Sequence, residues 1–379
     1  MDYKPRTRDN DKRYLMSSKI SNFIPYGKQT IDEDDISHFI ETLQSDFLTT
    51  GIKVSEFEQK IYEISNAKYC VSVSNGTAAL HLSALALLNE GDKVLTTPNS
   101  FIATANSILY AQATPIFIDI CEDGSIDLNL CEEALKKDKS IKAIFAVSFS
   151  GKILDQEKLR YLKDTYNIKI LEDNAHTIGV KLTHSDISTF SFHPVKHIAT
   201  GEGGAIVTND KLLYEKIKML RNHGQDDKHQ MLELGFNYRL SDISCTLGLS
   251  QIKKLNKFTQ KRQNIAKKYD EAFLNTIIKP LYKYTTNSFY HIYVVTVDFS
   301  KLDISRDELF SKLRAKNIGL QVHYKPINKQ PYYKNLNYGD ESTPAMDKYY
   351  EQCFSLPCFP LLTSDEQEYV ITILKDILL

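Results

Sequence analysis

Between Tyr69 and Glu172 the sequence alternates short runs of strand-forming residues with stretches of helical spacing, and this alternation limits the fold more than any other feature. Tyr69–Val73, Lys93–Thr97, Pro115–Ile120, Ile141–Val147 and Ile168–Glu172 read as strands. Ala78–Leu88, Phe101–Ala111, Leu128–Leu135 and Gln156–Tyr166 read as helices. Strands joined through helices require right-handed crossovers. The pattern therefore predicts an α/β fold with a mainly parallel central sheet covered by helices on both faces. A further helix is expected from about Asp32 to Gln44, where Ile36, Phe39, Ile40 and Leu43 recur at helical spacing. Residues 1–21 are charged, lack a hydrophobic period and read as a loose extension.

The texture changes near Gly248. Ser241–Leu274 is one long amphipathic stretch, expected to be a helix that joins two domains. Beyond it, strands Ile292–Val297 and Leu320–Tyr324 and helices Arg306–Lys316 and Asp365–Leu379 predict a smaller α+β domain. We therefore expect a large domain over 22–250 and a small one over 251–379, in keeping with a length of 379 residues. Lys and Arg number 47 and Asp and Glu 48, a net charge of −1, which argues against a basic field for nucleic acid. No apolar run approaches the roughly 18–20 residues that cross a bilayer. Six scattered cysteines without a C-x-x-C pair read as reduced thiols of a cytoplasmic protein and indicate no zinc site.

Three segments concentrate polar chemistry. Ser74-Asn75-Gly76-Thr77 lies between a strand and a helix, where free helix amides, a close-approach glycine and a hydroxyl suit a phosphate. A plain helix cap fits that segment equally well. Asp173 closes a hydrophobic strand, with His176 three residues on. Ligand sites of open α/β sheets lie at such strand ends, although a cap and a core histidine would give the same letters. Ser191-Phe192-His193-Pro194-Val195-Lys196 leads into Gly201-Glu202-Gly203-Gly204. A lone loop lysine is ordinarily a surface residue. A phosphate cradle, a strand-end acid and a loop lysine in this order meet the needs of pyridoxal 5′-phosphate, which takes a lysine for its Schiff base and an acid for its ring nitrogen.

With Phe101-Ile102-Ala103-Thr104 and Gly235-Phe236-Asn237-Tyr238-Arg239 added, the chain after about Asn22 resembles the DegT/StrS sugar aminotransferases, which have the fold-type I architecture of pyridoxal phosphate enzymes. The resemblance implies that Lys196 carries the cofactor, Asp173 pairs with its ring nitrogen, Phe101 stacks on the ring and His176 lies near it. Gly76, Thr77 and Ser191 would bind the phosphate. Asn237 would complete the phosphate site of a neighbouring subunit, making a homodimer with shared active sites. His323 and Tyr324 match a segment near the nucleotide-sugar, and Thr50 a substrate-side loop. Gln321–Ile327 and Ser355–Cys358 most resemble the pseudaminic acid branch. That branch moves the amino group of L-glutamate to C4 of a UDP-linked 4-keto-6-deoxy-N-acetylhexosamine and releases 2-oxoglutarate. Alternatives are another nucleotide-linked keto sugar (of the GDP-perosamine or bacillosamine type), a sugar dehydrase or a non-catalytic regulator. Dehydrase relatives carry His at the position of Lys196. The S-F-H-P-V-K spacing places Lys196 there rather than His197, and a regulator would be expected to lack Lys196 or Asp173.

Overall fold

The computed structural model describes residues 22–379, and the expected extension over 1–21 lies outside them. A seven-stranded sheet is built from β1 (Tyr69–Val73), β2 (Lys93–Thr96), β3 (Thr114–Phe117), β4 (Ile141–Val147), β5 (Lys169–Asp173), β6 (Ile187–Ser191) and β7 (Gly204–Thr208). The strand order is β1-β7-β6-β5-β4-β2-β3. Pairings from β6 to β3 are parallel, and β7 is antiparallel to both β1 and β6, so β7 alone runs against the other six. β4 is buried at all but one position, as a strand covered on both faces must be. The predicted α/β fold is present, and the predicted strands and helices of the first half recur to within two or three residues.

The register sets the position of the chemistry. Val147 pairs with Asp173, Asp173 with Thr189, and Ser191 and Val73 both with Gly204. The carboxyl ends of β1, β4, β5 and β6 therefore share one sheet edge, and the loop 192–203 between β6 and β7 hangs over it. The reversal of β7 follows from this loop: without a crossover helix, β6 can only return beside itself antiparallel.

A second, antiparallel sheet orders β8 (Lys279–Pro280), β9 (Tyr293–Thr296) and β10 (Cys353–Leu356) as β10-β9-β8. Two expectations fail here. Ser241–Leu274 is two helices, Asp242–Ile252 and Leu255–Phe273, with a break at Lys253 and Lys254. The first packs on the helices Glu33–Leu43 and Ile52–Ser65, with Thr42 and Thr246 hydroxyls 2.7 Å apart. The second sends Ile265, Tyr269 and Phe273 into a core shared with the terminal helix Ser364–Leu378. A straight helix cannot reach both, and Lys254 pins the bend through ion pairs to Asp32 and Asp35. Leu320–Tyr324 is not a strand. It makes one isolated bridge, Gln321 to Ser355, and four consecutive residues, Gln321 to Tyr324, line a cavity, so the segment does not alternate between two faces as a strand would. Among the described residues no helix is long and apolar enough to cross a membrane.

The helices Asp242–Ile252 and Ile52–Ser65 meet at Gly248. A Cβ there would stand 2.4 Å from Cε2 of Phe57, which is fully buried and held edge-on by Phe192, its ring centroid 5.2 Å away. Gly248→Ala should therefore lower stability by about 1–3 kcal/mol through overpacking, after any gain of up to about 1 kcal/mol from removing a helical glycine. A urea midpoint equal to or above wild type would contradict this packing.

Candidate active site

The floor of the site is the start of the helix Gly76–Leu87. Asn75 caps it by accepting from the Ala78 amide at 2.8 Å, which leaves the Gly76 and Thr77 amides for an outside acceptor. Two glycines bring this helix start against the strand ends. A Cβ on Gly76 would lie 2.9 Å from Ser191 Cβ, and one on Gly204 would lie 2.5 Å from the Asn75 carbonyl oxygen. The Ser191 hydroxyl thus sits beside two free amides at the positive end of a helix. They open into a cavity of about 880 Å³, also lined by Phe101, Asp173, His176, Lys196 and Tyr324. Phe101 is 57% exposed, so an aromatic face is left open to that space.

Asp173 is buried at the end of β5. Its Oδ2 accepts from the Thr104 hydroxyl at 2.6 Å and its Oδ1 from the Ala175 amide at 3.1 Å. Thr104 spends its proton on Asp173, so Ser100 must donate to Thr104 across their 2.8 Å contact. Burial raises the Asp173 pKa, while Thr104, Ala175 and the charge of Lys196 pull the other way. Lys196 is half-buried. Its Nζ lies 3.3 Å from His291 Nε2, and desolvation, with the charge of Arg262, brings its pKa down to about 8 against the pull of Asp173. An amine of this kind is partly neutral near physiological pH.

His176 accepts from the Ser150 amide at Nδ1 (3.2 Å), so its neutral ring carries hydrogen on Nε2, which faces the Tyr324 hydroxyl at 3.4 Å. Burial, and then the charge of Lys196, hold His176 well below its ordinary pKa. His323 pairs with the Ser355 hydroxyl at 2.7 Å, and burial takes its pKa down to about 3.

The structure brings together Gly76, Thr77, Phe101, Asp173, His176, Ser191, Lys196, His323 and Tyr324. It does not bring Thr50 or Asn237 into this cavity. Both are exposed. Phe236 and Tyr238 stack at 4.9 Å against their own chain's core, so alternation turns Asn237 outward. Thr104, Arg262 and His291 also belong to the site without a local sequence signal of their role. Thr104 follows Phe101 in the Phe101–Thr104 motif, and Arg262 and His291 reach Lys196 only through the fold. The donor set fits pyridoxal phosphate: two amides and a hydroxyl for a phosphate, a buried carboxylate for a cationic ring nitrogen, an open aromatic face and one desolvated amine.

The chain is 38% identical over 371 residues to a UDP-4-amino-4,6-dideoxy-N-acetyl-beta-L-altrosamine transaminase of Campylobacter jejuni, covering 94% of this chain and 97% of that protein. The structure of Helicobacter pylori PseC, an aminotransferase of pseudaminic acid biosynthesis, superposes with a TM-score of 0.89 at 30% identity, covering 94% and 99% of the two chains. A putative sugar aminotransferase of Streptococcus pneumoniae, solved in its PMP form, superposes with a TM-score of 0.86 at 27% identity, covering 94% and 97%. Residues 29–375 match the DegT/DnrJ/EryC1/StrS aminotransferase family, and the chain belongs to it.

Proposed function

We propose that this protein uses pyridoxal 5′-phosphate to move the amino group of L-glutamate to C4 of a UDP-linked 4-keto-6-deoxy-N-acetylhexosamine. The product would be UDP-4-amino-4,6-dideoxy-N-acetyl-β-L-altrosamine, the sugar in the name of the Campylobacter relative. The observation that carries the reading is the convergence of the Gly76–Thr77 helix start, Asp173 and the Lys196 amine on one cavity at the sheet edge.

In this reading the Gly76 and Thr77 amides and the Ser191 hydroxyl hold the phosphate, Phe101 covers one ring face and Lys196 tethers the cofactor through Nζ. When bound, the cofactor supplies an electron sink for charge that develops on the substrate carbon. Asp173 keeps the ring nitrogen protonated. The added cation opposes the burial that raises the Asp173 pKa, and Thr104 fixes the carboxylate's direction. As a free amine, Nζ of Lys196 would take the proton from Cα of glutamate. In the second half it returns a proton to C4 of the sugar. An amine brought down to about 8 is suited to both directions. One cavity serving glutamate and then the keto sugar gives ping-pong kinetics.

His197 supplies no support for the dehydrase reading. Its Nε2 lies 2.9 Å from the Phe289 carbonyl oxygen and its ring is buried away from the cavity, whereas Lys196 lines it. The test of substrate is a panel of UDP- and GDP-linked 4-keto-6-deoxy sugars with glutamate, followed by 2-oxoglutarate release. Turnover greatest with the UDP-linked N-acetylhexosamine is expected. Turnover confined to a GDP sugar would overturn the substrate assignment but leave the aminotransferase reading intact.

The outward Asn237 supports a shared site in a homodimer, with its amide serving the partner's phosphate. Lys196→Ala and Asn237→Asp should each be nearly inactive, Asp repelling the phosphate where Asn donates to it. Mixing them should restore up to about half of wild-type activity per hybrid dimer, because one of its two sites then has both residues intact. No recovery, with subunit exchange confirmed by mass, would assign Asn237 to its own chain or to no site.

A further inference from the structure

His291 is the one side chain within hydrogen-bond reach of the Lys196 amine among the described residues, and its surroundings restrict what it can do there. Nε2 stands 3.3 Å from Nζ. The ring is 4% exposed, and Nδ1 is buried without any hydrogen-bond partner. A buried N–H without an acceptor is among the rarest groups in folded proteins, and an unfilled acceptor lone pair is tolerated better. Hydrogen bonding therefore assigns the proton of the neutral ring to Nε2. The titratable and charged groups facing His291 are Lys196, His176, Arg262 and His197, on the loop after β6, the turn after β5 and the helix Leu255–Phe273. Each is cationic when charged, so none favours a doubly protonated ring.

An Nε2–H can pair with Nζ only when Nζ offers a lone pair, which an ammonium lacks. We infer that His291 is a further residue of the reaction, which donates its Nε2–H to the free Lys196 amine and so holds that amine neutral and oriented. Arg262 positions the pair. Fully buried and without an ion-pair partner among the described residues, its guanidinium donates to the carbonyl oxygens of His291 (2.8 Å) and Val195 (3.3 Å), and also to that of Cys358. One side chain thus fixes both the residue before Lys196 and His291 itself, and its charge further disfavours protonation of Nζ.

The inference rests on the reading that Lys196 is the amine that takes the cofactor. The test measures how fast the apoprotein takes up pyridoxal phosphate across pH, by borohydride trapping and mass mapping of the labelled residue, so turnover is not the readout. The variants are His291→Leu, His291→Gln and His291→Asn. A glutamine amide places its N–H near the position of Nε2, and an asparagine amide near Nδ1. Wild type and His291→Gln should label Lys196 with uptake rising through about the same pH. His291→Leu and His291→Asn should label the same residue with the rise displaced upward by about one pH unit, which is about tenfold slower uptake at pH 7. If the leucine variant does not fold, the contrast between Gln and Asn decides. Profiles for Leu or Asn that coincide with wild type would overturn the inference while leaving Lys196 as the cofactor's residue. Labelling of another residue in wild type would overturn the functional reading itself, and this inference with it.

Discussion

A lysine amine withdrawn from water resists carrying charge, and the centre of this protein is arranged around one such amine. Lys196 reaches its place because β6 returns as β7 without a crossover, which suspends its loop over the edge where the parallel strands end. The same edge brings the helix start at Gly76 and the carboxylate of Asp173 to the cavity. Desolvation and Arg262 lower the basicity of Nζ, and Asp173 limits the effect. The sheet register places Lys196, Asp173 and the helix start, and the helix Leu255–Phe273 brings Arg262 to them, so the chemistry depends on the fold as a whole.

The second sheet and its helices complete the wall opposite. His323 and Tyr324 enter from the segment bridged to β10, and His291 stands just ahead of β9. Arg262 ties the two regions together from the helix Leu255–Phe273, through carbonyl oxygens on both sides of the cavity. The bend at Lys253 and Lys254 is what lets that helix leave the first layer and take up this position.

Much of this was legible in the sequence, for physical reasons. Asp173, Lys196 and the Gly76–Thr77 turn stand beside clear strands, and those strands end at one sheet edge, where three points far apart in the chain meet. The resemblance to a known family then supplied roles that spacing alone could not. Other features were hidden because their cause is distant in sequence. His291 lies 95 residues beyond Lys196 and meets it only after folding. Arg262 looks like one more basic residue in a charged amphipathic helix, and its complete burial is visible only in three dimensions. Leu320–Tyr324 reads like a strand, yet its consecutive residues Gln321 to Tyr324 form a cavity wall. The break inside Ser241–Leu274 has no Gly or Pro to announce it. It is set by Asp32 and Asp35, more than two hundred residues earlier.

In the proposed function this strand-end cavity moves an amino group from glutamate to a sugar carbon, with Lys196 holding the cofactor and moving the protons. Tracing nitrogen tests it most directly. The holoenzyme would be given ¹⁵N-glutamate and the UDP-linked 4-keto-6-deoxy-N-acetylhexosamine, and the sugar product read by ¹⁵N NMR, with Lys196→Ala in parallel. Wild type should give ¹⁵N bonded to C4, and Lys196→Ala none. A sugar recovered without ¹⁵N from wild type, or equal labelling from the Lys196→Ala protein, would contradict the proposed function.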